Sequence, residues 1–294
     1  MKWLALVVVA ACGGDDDATI DALGLDHGCV HVPGAVVAVG TIHDIGNTEL
    51  SGLAISHTLD HVLWTHGDSG GTADIYSIDA ATAAPLGTLH LTSGSNVDWE
   101  DIATAPCAAG RCIYVADTGD NKLERAMVTL YEVVEPAAAP VGAVDVAATA
   151  YDIVYPDGPH NVEALFIDPR DQTSYAIVKS DSKKAAVFEL PRTAGSIATA
   201  IKIGELEIPA SDPRVTAADM EVDDCSARIL VRTYGSLYEL RGTATATVLD
   251  LIGSALATMP VAVEPQGEAV AYSAGRAYFT TSEGTDPTLS RVDD

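Results

Sequence analysis

One short phrase recurs five times along the chain: Leu50-Ser51-Gly52-Leu53-Ala54, Trp99-Glu100-Asp101-Ile102-Ala103, Val162-Glu163-Ala164-Leu165-Phe166, Ala218-Asp219-Met220-Glu221-Val222 and Gly267-Glu268-Ala269-Val270-Ala271. In four of the five an acidic residue stands just ahead of a short apolar run, and each run is followed by turn residues and a second strand-like run. With Leu53, Ile102, Leu165, Met220 and Val270 set as equivalent, the spacings are 49, 63, 55 and 50 residues. A period of roughly 50 residues built from short strands, about four per unit, is the sequence signature of a β-propeller. Five units give five blades; the count becomes six if the 63-residue unit hides further strands around Pro136-Ala137-Ala138-Ala139-Pro140. The last unit ends at Asp294 before a fourth strand can form, so the strand-like stretch from Ala35 to Ile42 is expected to complete it and close the ring. Closure removes the free sheet edges that invite aggregation. The expectation is an all-β chain with one propeller domain over residues 31–294.

Charge narrows the function classes. The 294 residues hold 42 acidic and 16 basic side chains, a net charge of −26. Nucleic-acid binding needs clustered Lys and Arg to neutralise phosphate, and docking on anionic lipid needs a basic patch. Neither fits this balance, which favours cations and solubility.

The N-terminus reads as an export signal. Lys2 supplies the positive start and Leu4 to Ala11 the apolar stretch, too short to span a bilayer. Val9-Ala10-Ala11-Cys12 resembles a bacterial lipobox, in which Cys12 becomes the lipid-bearing first residue of the mature protein. Residues 1–12 are then the signal and 13–30 an acidic linker that opens with Gly13-Gly14-Asp15-Asp16-Asp17. Gly13 after the cysteine resembles lipoproteins sent to the outer rather than the inner membrane. The expected location is extracytoplasmic, with the membrane reached through the lipid on Cys12.

Cys29, Cys107, Cys112 and Cys225 remain, an even count that in an exported chain reads as two disulfides. Cys107 and Cys112 flank Ala108-Ala109-Gly110-Arg111 between two strand-like runs and would staple a hairpin, leaving Cys29 and Cys225 as the second pair by elimination. With no His or Cys near the Cys107–Cys112 pair, zinc is not expected.

A propeller gathers distant residues. The innermost strand of each blade runs along a central channel, and the loop leading into it opens on the same face as the loop leaving the second strand. The leading positions bring Asp98, Glu100, Asp101, Asn161, Glu163, Asp219, Gln266 and Glu268; the exits bring His66, Asp68, Asp117, Asp120, Asn121, Lys179, Asp181, Arg232 and Glu283. Glu100, Glu163 and Glu268 share one register, filled by Ser51 and Ala218 in the other units, while Asp101 and Asp219 sit one position on, turned to the opposite strand face. Three glutamates around a narrow axis must be protonated, paired with bases or bridged by a cation. Carboxylates with Asn and Gln are hard oxygen donors that suit Ca²⁺ better than zinc or copper. The expected ligands are Glu100, Asp101, Glu163, Asp219, Glu268, Asp117 and Asn161. The alternative is that these acids cap backbone amides or pair with Lys179 and Arg232. Asp117-Thr118-Gly119-Asp120-Asn121 reads either as a calcium loop without full EF-hand spacing or as a tight turn bonding its own backbone. His66 is a candidate base beside Asp68 or Asp101. No GxSxG accompanies Ser69, so a serine nucleophile is not expected. Trp64 and Trp99 read as packing residues.

Several stretches resemble motifs of bacterial exported propeller proteins: Leu63-Trp64-Thr65-His66-Gly67-Asp68-Ser69-Gly70-Gly71, Asp98-Trp99-Glu100-Asp101-Ile102-Ala103, Tyr114-Val115-Ala116-Asp117-Thr118-Gly119-Asp120-Asn121 and Gln266-Gly267-Glu268-Ala269. The resemblance covers about residues 45 to 290. More distantly, the acidic channel is similar to that of calcium-dependent propellers, the β-propeller phytases and the gluconolactonase/strictosidine-synthase-like group. That likeness implies a metal held by Glu100, Glu163, Asp219 and Glu268, with Lys179 and Arg232 facing an anionic substrate. The long acidic metal runs of phytases are missing here. The function expected is a lipid-anchored propeller that binds Ca²⁺ and a small-molecule ligand or protein partner at the channel mouth. The alternatives are a Ca²⁺-dependent hydrolase of phosphoesters or lactones using His66, Asp68, Lys179 and Arg232, and a purely structural or interaction propeller.

Overall fold

A computed structural model describes residues 32–43, 45 and 49–294. The signal stretch, Cys12, the linker and Cys29 lie outside the described residues.

Five sheets form five blades. Their innermost strands are Leu50–Ile55, Trp99–Cys107, Val162–Ile167, Val215–Val222 and Gly267–Tyr272. Each inner strand packs against the inner strands of the blades before and after it, and the fifth against the first, so the ring is closed. These strands read as near-continuous apolar runs because neighbouring blades cover both of their faces; Val162–Ile167 is buried at every position. Outer strands instead meet water: Ile201–Glu207 is largely exposed, and its Lys202, Glu205 and Glu207 blunt the sheet edge. The core is accordingly divided into five clusters, each straddling two blades. Trp64 of the first blade packs with Trp99 and Ile102 of the second, and Phe166 of the third with Met220 and Ile229 of the fourth. Both tryptophans are wholly buried, with their indole N–H groups on Glu135 Oε1 and Ser95 O, each at 2.8 Å.

The ring closes as expected. Val36–Thr41 pairs antiparallel with Thr288–Val292 and becomes the outermost strand of the fifth blade. The long second unit makes no sixth blade. Its surplus chain, after Pro136 to Pro140, forms Gly142–Val146, which adds a parallel fifth strand to the outer edge of the first blade. Ala198–Thr199 similarly extends the second blade. Cys107 and Cys112 form a disulfide across their hairpin, with Cα atoms 5.8 Å apart. Cys225 is also disulfide-bonded. Among the described residues no helix is long and apolar enough to cross a membrane.

Candidate functional site

All five inner strands carry a β-bulge at the same place, one or two residues after they start. The breaks in pairing fall at Leu50/Leu53, Trp99/Asp101, Val162/Ala164, Val215/Ala217 and Gly267/Ala269. A bulge leaves one residue unpaired and re-aims its side chain. The bulged residues are Glu100, Glu163, Thr216 and Glu268, with Ser51 at the corresponding place in the first blade. In the fourth blade the place therefore belongs to Thr216, not Ala218. The apolar-run alignment misses this because it matches Met220 to Ile102, whereas the pairing matches Ala218 to Ile102. The two hydroxyls act alike: Ser51 Oγ donates to Glu100 O, and Thr216 Oγ1 donates to Gly267 O at 2.9 Å, each tying its blade to the next.

The three glutamates have three fates. Glu163 Oε2 lies 2.6 Å from Lys179 Nζ, and its Oε1 accepts from Asn161 Nδ2 at 2.8 Å. Glu268, 4% exposed, accepts no hydrogen bond from a described residue; burial pushes its carboxyl up to about 9 while Lys179 pulls the other way. Glu100, also 4% exposed, accepts none either, and its carboxylate oxygens lie within 4.8 Å of those of Asp68 and Asp98. Among the described residues, Asp68 and Asp98 likewise have no donor on their carboxylates, and Asp68 Oδ1 is buried without a partner. Burial, with the charges of Asp98, Glu163, Glu283 and Glu49, raises Asp68 to about 7. Burial also raises Asp98 and holds Glu100 well above the carboxylate range, with Glu163, Asp68 and Asp98 adding to the latter.

The bases nearby are already committed. Arg125 Nη2 holds Asp117 Oδ1 at 2.8 Å, Lys179 holds Glu163, and Arg232 holds Glu264. Three carboxylates converge here with no donor from a described residue, and as hard oxygen donors they are of the type that could hold a divalent cation. The cluster is seated against Gly119: a Cβ there would overlap Glu100 Oε1 and Asp98 Oδ2. Asp68 is set by the exit of Val62–Gly67, and an isolated bridge from Ser69 to Asp98 ties that exit to the chain leading into the second blade.

The remaining expected ligands are occupied otherwise. Asp101, fully buried, accepts the N–H groups of Ile102 (2.9 Å), Leu165 (2.8 Å) and Ala218 (3.1 Å). Asp219 accepts those of Met220 (2.8 Å) and Tyr272 (2.7 Å). Both are backbone acceptors in the channel wall, a correction to their assignment as ligands. Asp219 also lies two positions further along its strand than Asp101 once the bulges are aligned. Asp117 is filled by Arg125 and the N–H groups of Val97 and Asp98, and Asp120 by those of Glu124 and Arg125. Asp120 thus bonds the backbone of the turn it opens, while Asp117 is bound across to the chain leading into the second blade. Asn161 spends its Oδ1 on Asp120 N–H and its Nδ2 on Glu163 and Asn121.

His66 is no base for this pocket. Its ring is fully buried, Nδ1 donates to Gly67 O at 2.9 Å, and Nε2 faces Gly52 with no partner. No hydrogen bond joins it to Asp68 or Asp101. Arg232 is wholly buried with its Nη2 on Glu264, and Lys179 is tied to Glu163. Sequence reasoning did not place Asp68 and Asp98 beside Glu100 among the candidate ligands. The available signal was Asp98 two residues before Glu100, in the chain that leads into the strand Trp99–Cys107.

No protein-family model matches the chain, and no curated protein matches it. Solved structures do. A glucose dehydrogenase aligns with a TM-score of 0.50 at 9% identity, covering 88% of this chain and 99% of that one. The PQQ-bound aldose sugar dehydrogenase of Streptomyces coelicolor gives 0.49 at 13% identity over 88% and 98% of the two chains. A gluconolactonase of Xanthomonas campestris gives 0.47 at 12% identity over 88% and 89%. At these identities the likeness concerns the fold.

Proposed function

We propose that the protein binds a hard divalent cation, Ca²⁺, at the upper channel mouth through Asp68, Asp98 and Glu100, and presents its open coordination positions to a ligand. One observation carries this reading: three carboxylates converge within 4.8 Å, none with a hydrogen-bond donor among the described residues. Like charges so placed repel unless a proton or a cation joins them. Calorimetric titration of chelator-treated protein with Ca²⁺ is the test. Saturable binding, weakened by Asp98→Asn and by Glu100→Gln, is expected. Absence of heat and of any thermal shift would remove the reading.

A second reading, metal-assisted hydrolysis, is favoured by Glu268. Its carboxyl accepts no hydrogen bond from a described residue, and burial raises it to about 9, with the charges of Glu283, Glu163 and Asp68 adding to the rise. The cation would polarise the substrate and lower the pKa of bound water, and Glu268 would give its proton to the leaving oxygen. A panel of p-nitrophenyl phosphate, phytate and lactones tests it: turnover lost in Glu268→Gln supports hydrolysis, and a silent panel dismisses it.

The reading extends to location. The chain would sit outside the cytoplasm, tethered through a lipid on Cys12 and sorted to the outer membrane. Its supports are the lipobox-like Val9-Ala10-Ala11-Cys12, Gly13 after it and the Cys107–Cys112 disulfide, a bond that persists in oxidising compartments. Metabolic labelling with a radioactive fatty acid, lost in Cys12→Ser, is the expected result.

A further inference from the structure

A second cavity, of about 170 Å³, lies at the opposite end of the axis. Every blade contributes to it through the far end of its inner strand, the turn that follows or the start of the next strand. His57 comes from the first, Arg111 from the second, Pro169 from the third, Glu221 from the fourth, and Ser273 from the fifth.

Arg111 stands apart from every other arginine. Nine of the ten, all described, hold a carboxylate: Arg125, Arg170, Arg192, Arg214, Arg228, Arg232, Arg241, Arg276 and Arg291. Arg111 holds no carboxylate among the described residues, in a chain with 42 acidic residues. Its guanidinium is a rigid fork of donors matched to a carboxylate or a phosphate. The acids sharing the cavity are satisfied without it. Glu221 lies 2.5 Å from Arg228 Nη2, and Asp219 accepts the two N–H groups given above. The Cys107–Cys112 disulfide closes the hairpin in which Arg111 lies at the start of the second strand and restrains it, so less freedom is lost when an anion is engaged. His57 lines the same space. Desolvation and the Arg111 charge keep its imidazole below the usual range, so at neutral pH it offers one donor and one acceptor rather than a second charge.

The geometry points to a small anion of the carboxylate or phosphate class bound in this lower mouth, gripped by Arg111 with His57 and Ser273 beside it. This site is separate from the cation pocket and does not depend on it.

Titration calorimetry of the full chain with inorganic phosphate and with acetate, each with and without chelator, tests the inference. Saturable binding that persists in chelator is expected, with affinity reduced by about tenfold or more in Arg111→Gln. Arg111→Lys, which keeps the charge and loses the fork, should fall between, and remains informative if Arg111→Gln does not fold. Arg291→Gln, which removes a surface arginine already paired with Asp293, should change nothing. Phosphate binding without acetate binding assigns the phosphate class, and binding of both assigns carboxylates too. The inference is overturned if neither anion binds, if binding survives Arg111→Gln, if Arg291→Gln weakens it equally, or if chelator abolishes it.

Discussion

Asp101 of the second blade accepts, on a single carboxylate oxygen, the backbone N–H of Leu165 in the third blade and of Ala218 in the fourth, at 2.8 and 3.1 Å. One side chain thus fastens three inner strands across the channel, while its other oxygen takes the N–H of Ile102. Burial pushes the carboxyl upward and these three bonds pull it back. Asn in its place would turn an NH₂ group toward backbone N–H donors and leave buried groups unpaired. Asp101→Asn should lower unfolding free energy by about 2–4 kcal/mol. Urea denaturation measures this. Ca²⁺ affinity should not change in the same variant; a loss confined to cation binding would return Asp101 to the ligand set.

Gly119 supplies the space in which Glu100 Oε1 and Asp98 Oδ2 approach each other. Both are the far ends of flexible side chains, so a methyl group at position 119 displaces them rather than breaking the fold. Gly119→Ala should leave the melting temperature within a few degrees of wild type and weaken Ca²⁺ binding by about tenfold, near the loss of one charged contact. Unchanged affinity would argue that the cation, if bound, sits elsewhere on the rim.

Much of this architecture was legible in the residues. The acidic phrase ahead of each apolar run marked the inner strands of four blades, and the truncated last unit called for the N-terminal strand that closes the ring. Register was harder to read. Apolar runs in a propeller are buried on both faces, so they lack the alternation that fixes phase, and the fourth unit slid by two residues from Thr216 to Ala218. The bulge that singles out Glu100, Glu163 and Glu268 is a feature of pairing and leaves no mark on one strand's composition. The distinction between Glu100, Glu163 and Glu268 depends on which has Lys179 beside it, a matter of side-chain reach across blades.

The Glu163–Lys179 pair removes one glutamate from the cluster. Glu163 is 3% exposed, with Lys179 Nζ 2.6 Å away and Tyr234 under the ammonium at 4.9 Å. Removing one partner of a buried pair strands the other charge. Lys179→Met should destabilise the protein by about 3–5 kcal/mol, and Glu163→Gln added to it should restore a large part of that loss. The double-mutant cycle, read by thermal or urea unfolding, measures the coupling. Additive losses would mean the two groups do not depend on each other.

His66 makes the fold sensitive to acid from a position where it cannot serve the pocket. Its ring is wholly buried against Trp99, with centroids 5.7 Å apart, and desolvation drives its pKa down to about 4. The unfolded chain protonates it near 6.5, so between those values the unfolded state binds the extra proton. Stability from this residue is therefore fully present above about pH 6.5 and is lost as pH falls toward 4, a change of about 3 kcal/mol. Unfolding free energies of wild type and His66→Gln, compared from pH 7 to pH 4, isolate it. The wild-type curve should fall more steeply by that amount. Parallel curves would show that the imidazole titrates alike in the folded and unfolded chains.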